Sequence, residues 1–373
     1  MKKVVIIPDS FKGTLSARQI CDIVSDRLHA HFPHCVAICI PVADGGEGTV
    51  DCFLAGIGGQ KVTCRVKGPF FEDMDCAYAL LPDGTAVLET AACAGLPLVA
   101  GRENPLLTTT YGVGQMMRHA VEHGCKKIIV GLGGSCTNDC GTGAAAALGT
   151  VFRRQNGSAF VPTGGTLRDV AAIEPAAPLS VPVVAMCDIQ NPLYGQTGAA
   201  YVFAPQKGAD ADDVRLLDNG LRHMADCIQT FLNIDVHVLS GGGAAGGLGA
   251  GMYAFCGAVL QSGIETVLET VRFDDLLQDA DLVITGEGKL DSQSLKGKAV
   301  IGIAQHWKAH HVPVLAIVGG AERNLPQTYD LGVSAVFPIG RLPEDFAVSR
   351  NKSEENLRET ADNIFRLLRC MKR

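Results

Sequence analysis

The sequence predicts an α/β protein of two α/β domains, one Rossmann- or flavodoxin-like with a parallel sheet and the other a mixed α+β insert. Three observations carry this prediction: short β-branched runs that end in glycine-rich or acidic loops, helical stretches that alternate with them, and one segment, residues 58–90, that breaks the alternation. A chain of 373 residues also exceeds what one hydrophobic core ordinarily serves.

Taken in order, "KKVVIIPDSFKG" reads as strand, loop and the approach to a helix that begins near Ser16, and "VAICIPVADGGEG" at 36–48 repeats the scheme. "CKKIIVGLGGS", "VPVVAMCDIQNP", "ADLVITGEGKLD", "VPVLAIVGGAE" and "GVSAVFPIGR" continue it, with helices expected over 111–122, 138–149, 212–232 and 355–371. Strands this continuously apolar belong to parallel sheets covered on both faces. Ligands of such sheets bind at the carboxyl ends of the strands, where these loops lie. Residues 58–90 instead alternate polar and apolar side chains and turn at Pro82-Asp83-Gly84, an antiparallel signature. The reading is therefore a first domain of residues 1–57 and 260–373, with residues 58–259 inserted as the second.

Composition narrows the class. The net charge of −7, with no Lys/Arg run, argues against a nucleic-acid or anionic-membrane surface. Positive charge for an anionic substrate must then be local. The 14 Cys sit largely inside apolar stretches (Cys21, Cys39, Cys93, Cys256), and "MKKVVIIP" is too short in its apolar part for a secretory leader, so reduced thiols of a cytoplasmic protein are expected. No apolar run reaches the ~20 residues of a membrane span.

The chemistry-bearing groups fall in the strand-end loops. "VGLGGSCTNDCGTGAAAALG" at 130–149 places Gly131, Gly133 and Gly134 after a strand, then Ser135, Thr137, Asn138 and Asp139 at N-cap positions ahead of an Ala-rich helix. Unpaired amides there suit a phosphate or carboxylate, and a tight, well-capped turn explains the same residues equally well. "SGGGAAGGLGAG" at 240–251, with Gly242 and Gly243, is a second anion cradle, a flexible hinge or a site of close helix–sheet packing, ahead of a helix expected to end near Gln261. Neither run is a Walker A loop or a G-x-G-x-x-G dinucleotide fingerprint. Acids and cations recur at strand ends: Asp9 and Lys12, Asp44 and Glu47, Asp188 with Asn191, Lys207, and the polar loop holding Glu287, Asp291, Gln293 and Lys298. Two of these loops share G-E-G-x-x-D, pairing Glu47 with Asp51 and Glu287 with Asp291. Carboxylates hold Mg²⁺ or accept a hydroxyl proton, and lysines neutralise anionic oxygens, a mixture that phosphoryl transfer requires.

In order, "PDSFKGTLSA", "PVADGGEGT", "VKGP", "LETAACAGL", "GLGGSCTNDCGTGAAAALG", "CDIQNPL", "APQKGA", "GGGAAGGLGAG" and "DLVITGEGKLDSQSLKGKA" resemble bacterial class I glycerate kinases from residue 5 to about 320. The resemblance implies ATP-dependent, Mg²⁺-supported phosphorylation of D-glycerate, 2-phosphoglycerate being the usual product, in glyoxylate or sugar-acid catabolism. It also implies an active site in the cleft between two domains, and small molecules rather than nucleic acid or membrane as partners. Homo-oligomerisation is left open. Cys93, Cys136 and Cys140 depart from the Ala, Ser or Gly expected there, which bears on reactivity toward oxidants rather than on activity.

On that basis Asp188 is the expected base, with Asp9 or Asp44 able to exchange roles with it, and Lys12 or Lys207 meets the glycerate carboxylate. Ser10, Lys67, Gly133, Gly134, Ser135, Thr137, Asn138, Asp139, Asn191, Gly242, Gly243, Gly286, Gln293 and Lys298 complete the substrate- and phosphate-binding set. Glu47, Glu287 and Asp291, together with Asp44, are the candidate Mg²⁺ ligands. A nucleotide-dependent oxidoreductase acting on a small hydroxy acid and a two-lobed, non-catalytic sensor of a small acid are the alternatives. The absent dinucleotide fingerprint counts against the first, and the lack of a visible output element against the second.

Overall fold

The structure, a computed structural model, describes residues 1–371 apart from 12, 44, 293, 297–298, 307–309, 324 and 342–343. The chain packs as two compact units, residues 1–43, 55–58 and 264–373 in one and residues 44–54 and 59–263 in the other.

The first unit is built on five parallel strands in the spatial order Val36–Cys39, Lys3–Pro8, Leu282–Gly286, Val314–Val318, Ala335–Pro338. Counted along the chain this is 2-1-3-4-5, the flavodoxin-like doubly wound order. All five residues of Leu282–Gly286 and of Val314–Val318 are buried, whereas the edge strand Val36–Cys39 is exposed or half-buried. That contrast explains the continuous apolar runs of the central strands. Helix Ala17–His31 starts in a capping box between Ser16 and Gln19 and packs on helix Ser353–Met371. Ile20, Val24 and Leu28 from one and Leu357, Ile364 and Phe365 from the other close the core over Val4, Ile6 and Ile284. The topological switch point of this sheet lies between Lys3–Pro8 and Leu282–Gly286. Asp9 N–H donates to Gly286 O there at 2.8 Å.

The second unit carries a six-stranded mixed sheet in the order Gln60–Lys67, Asp73–Leu80, Thr85–Glu89, Lys127–Gly131, Val183–Met186, Val259–Gln261. Its first three strands form the expected antiparallel meander, with Gly84 at φ +91° in the Pro82-Asp83-Gly84 turn, and the remaining contacts are parallel. Two differences from the sequence reading have local causes. The helix expected to reach Gln261 is Ala244–Cys256, because Gly257 takes a left-handed conformation and the chain re-enters the sheet at Val259–Gln261. Residues 44–54, expected with the first domain, pack with the second unit, and its end falls at Gly263 rather than 259. A small sheet of Ala159–Phe160, Val151–Arg153 and Ala172–Glu174 gave no sequence signal, its strands being two or three residues long. Among the described residues no helix is long and apolar enough to cross a membrane.

Phe365 is fully buried where the last helix meets the first. Phe365→Ala is expected to destabilise the first unit by about 3–5 kcal/mol, read as a lowered urea midpoint.

Candidate active site

Two glycine loops of the second unit interlock backbone against backbone. Gly133 N–H donates to Gly45 O at 2.9 Å, and Gly45 holds φ +83°. A Cβ on Gly131 would stand 2.4 Å from Gly45 O, and one on Gly133 would stand 2.6 Å from Gly46 Cα. Real Cβ atoms do not approach so closely, so the glycines of "ADGGEG" and "GLGG" are fixed by this contact. It also explains why residues 44–54 belong to the second unit.

The helix after the second loop is only Thr142–Ala147, not 138–149. Its N-terminal amides are occupied from within the protein. Asp139 is fully buried, and its Oδ2 accepts from Thr110 N (2.8 Å), Thr110 Oγ1 (2.8 Å) and Gly143 N (3.3 Å), its Oδ1 from Gly141 N (3.1 Å). Thr110 Oγ1 accepts in turn from Ala144 N at 3.0 Å. Burial pushes the Asp139 pKa up, against the pull of these hydrogen bonds. Asp139 therefore organises the loop from inside and has no face left for a ligand, and the helix end expected to bind an anion is already capped.

The open positions lie earlier in the loop. Lys207, at the end of the Pro205–Lys207 turn, is 2% exposed, and its Nζ donates to Ser135 Oγ at 3.0 Å and Thr137 O at 2.7 Å. An ammonium has three N–H donors, and the third finds no acceptor among the described residues. Burial lowers the Lys207 pKa from its ordinary 10.5 to about 8. Ser135 Oγ, accepting from Lys207, keeps its own proton to give. The amides of Gly134 and Ser135 have no acceptor among the described residues, and Gly134 is exposed. Both amide atoms of the buried Asn138 are unpartnered as well. A buried cation, a hydroxyl and unspent N–H groups in one loop form a receptor for an anion.

Other predicted residues are placed differently. Gly243 N–H donates to Asn191 O at 3.0 Å and Gly242 N–H to Leu239 O at 3.0 Å, so neither amide can cradle a phosphate. The second glycine run serves packing. A Cβ on Gly246 would lie 1.9 Å from Thr137 O, and Cys140 N–H donates to Gly246 O at 3.1 Å. Asn191 Nδ2 donates to Thr197 O at 2.8 Å and ties its own loop. Asp188 is exposed beyond Val183–Met186, and its Oδ1 accepts from Gly263 N at 2.8 Å. Lys67 pairs at 2.8 Å with Asp73 across the hairpin and holds that carboxyl below the usual range. Glu47 is exposed on the loop it shares with Gly45.

In the first unit, Asp9 and Ser10 leave the first strand half-buried, with Ser10 N–H donating to Asp9 Oδ1 at 2.6 Å. Gly286 is required by close approach, since a Cβ would lie 2.0 Å from Ile317 O. Glu287 is 6% exposed, and Asp291 lies 3.5 Å from Lys289 Nζ. Lys12, Asp44, Gln293 and Lys298 lie outside the described residues. Among the described residues no three His, Cys, Asp or Glu side chains gather in a metal-holding group. Cys93, Cys136 and Cys140 are buried, and burial pushes the Cys136 thiol up to about 12 and the Cys93 and Cys140 thiols up too.

Residues 4–369 match the model of the Glycerate kinase family. The chain belongs to the glycerate kinase family. It is 41% identical over 368 residues to the Bacillus cereus glycerate kinase, with 97% of each chain covered. It is 41% identical over 355 residues to the Escherichia coli glycerate 2-kinase, covering 92% of this chain and 93% of that one. A crystal structure of a Salmonella typhimurium protein described as a glycerate kinase 2 superposes with a TM-score of 0.87 at 38% identity, covering 100% of this chain and 99% of the other. A member of the glycerate kinase family is a phosphotransferase with ATP as substrate, and the buried Lys207 loop is read below in that light.

Two predictions follow from this geometry. Gly131→Ala forces Gly45 away and is expected to cost roughly 1–3 kcal/mol of stability together with activity, measured by urea unfolding and turnover. For Lys207 the charge is lost as pH rises through about 8, so kcat/KM for the anionic substrate is expected to fall above that pH. Between about 8 and 10.5 the unfolded chain binds the extra proton, so this group makes the fold more stable as activity falls. Lys207→Met should abolish that alkaline limb, and a thermal melt run across the same pH range separates the effect from unfolding.

Proposed function

We propose that the protein transfers the γ-phosphoryl group of ATP to the 2-hydroxyl of D-glycerate, releasing ADP and 2-phosphoglycerate, within glyoxylate or sugar-acid catabolism. The observation that carries this reading is the buried Lys207–Ser135 receptor beside unspent amides of the glycine loop, in a chain 41% identical to a glycerate 2-kinase. The glycerate carboxylate is met by Lys207, Ser135 Oγ and the Gly134 and Ser135 amides. Asp188 takes the proton of the attacking hydroxyl. Its carboxylate is exposed at the carboxyl end of Val183–Met186, where Oδ1 accepts from Gly263 N–H.

A Mg²⁺ ion fits the donor chemistry of the first unit's 286–291 loop, because Glu287 and Asp291 offer only hard oxygens. Mg²⁺ characteristically takes one or two carboxylates and fills its shell with water and substrate phosphates, which suits the absence of a three-residue cluster among the described residues. Bound there, it would neutralise phosphate charge, and the remaining catalysis is positioning.

Incubation with ATP, Mg²⁺ and D-glycerate, coupled to ADP detection and followed by phosphorus NMR, tests the proposal. Glycerate-dependent ADP release and the coupling of a phosphate on the middle carbon are expected. Silence with glycerate and other small hydroxy acids, from folded protein, would overturn the kinase reading. Asp188→Asn is expected to lower kcat by roughly 10²- to 10⁴-fold, and near-normal turnover would remove it as the base.

A further inference from the structure

We propose that Glu89 is a positioning residue for this phosphoryl transfer, its carboxylate fixing the 45–49 loop and, through that loop, the Gly133–Ser135 anion receptor. Glu89 ends the wholly buried strand Thr85–Glu89 and is itself 8% exposed. Its Oε1 accepts from Val50 N at 2.5 Å across 39 residues of chain, and the Gly48 amide also stabilises its charge. These amides open the nine-residue helix Thr49–Ile57. The Thr49 hydroxyl donates to Gly46 O at 2.7 Å.

The contact closes a ring. Glu89 pairs with Gly131 across the sheet, and the next amide, Thr90 N–H, donates to Gly131 O at 2.9 Å. Gly133 N–H donates to Gly45 O, and the chain runs from Gly45 to Gly48 and Val50, which return to the Glu89 carboxylate. One link of this ring is a side chain, and it is Glu89. Burial raises its pKa, and the nearby Asp51 and Glu47 oppose its charge, so the site tolerates an acid for the sake of the acceptor it supplies. Without that acceptor the Val50 amide is left buried and unpaired, and the 45–49 loop loses its anchor on the strand Thr85–Glu89. Gly133 then loses its fixed acceptor, and the Gly134 and Ser135 amides shift relative to Lys207.

This inference rests on the kinase reading, so wild-type glycerate-dependent ADP release is measured first, and its absence would overturn that reading alone. With wild type active, Glu89→Ala is expected to raise KM for glycerate roughly 10- to 100-fold, the scale of an ångström-sized misplacement. Glu89→Gln keeps a carbonyl oxygen at the same reach and is expected to restore KM to within about threefold of wild type. A purely structural cap would lower the melting temperature of Glu89→Ala and leave KM unchanged, and that result would overturn the proposal. Equal losses in Glu89→Ala and Glu89→Gln would also overturn it, because the acceptor is present in the second. If Glu89→Ala fails to fold, Glu89→Asp, whose carboxylate is retracted by one methylene, carries the test. Unchanged KM in that variant would count against the proposal in the same way.

Discussion

The second unit depends on a contact made without side chains: Gly45 and Gly46 lie against Gly131 and Gly133 at distances that leave no room for a Cβ. A second such contact, Gly246 against Thr137, presses the other glycine run onto the same loop. The loop of residues 131–141 is thus gripped by backbone from two directions, in addition to the side chains that shape it from inside. Glycine costs conformational entropy on folding, and here the cost is offset by a geometry no other residue can reach. What this rigidity achieves is placement, since a loop gripped on both sides can hold unspent amides in a fixed direction.

Two buried charges divide the work inside that loop. Asp139 spends its oxygens on four internal donors and behaves as a structural element that happens to be ionisable. Lys207 is the reverse case, a cation drawn out of water and given two acceptors for three donors. Burial works against its charge, and an arriving carboxylate removes that penalty, so the site gains more from binding than a solvent-exposed lysine would. Ser135 links the two, standing on the loop that Asp139 shapes and accepting from the buried cation.

The parallel sheet, the antiparallel segment and the strand-end placement of the polar loops were legible in the sequence because each rests on periodicity. Motif order pointed to Gly133, Ser135, Thr137 and Lys207, and the structure brings Ser135, Thr137 and Lys207 into hydrogen-bond contact. Which glycines touch backbone and which leave amides open was not, because that depends on segments far apart in the chain, such as Gly45 with Gly133. For the same reason Gly242 and Gly243 looked like an anion cradle until Leu239 and Asn191 were seen to take their amides. Asp139 carried a capping signature that was correct, but nothing in its neighbours revealed that Thr110 would complete its shell. Glu89 lies in the quoted "LETAACAGL" motif, but an acid ending an apolar strand is an ordinary sight in such folds and the motif assigned it no role.

The division of the chain has a consequence for synthesis. Val5, on the first strand, pairs with Val283, so the central pairing of the first sheet cannot form until the last quarter of the protein has been made. Residues 44–54 also emerge ahead of the sheet end they dock on. The second unit, whose strands are close in order, can therefore condense on the nascent chain while Lys3–Pro8 waits with an unpaired, strongly apolar edge. For much of its translation the polypeptide carries the side of Lys3–Pro8 that later meets Leu282–Gly286 without its sheet partner.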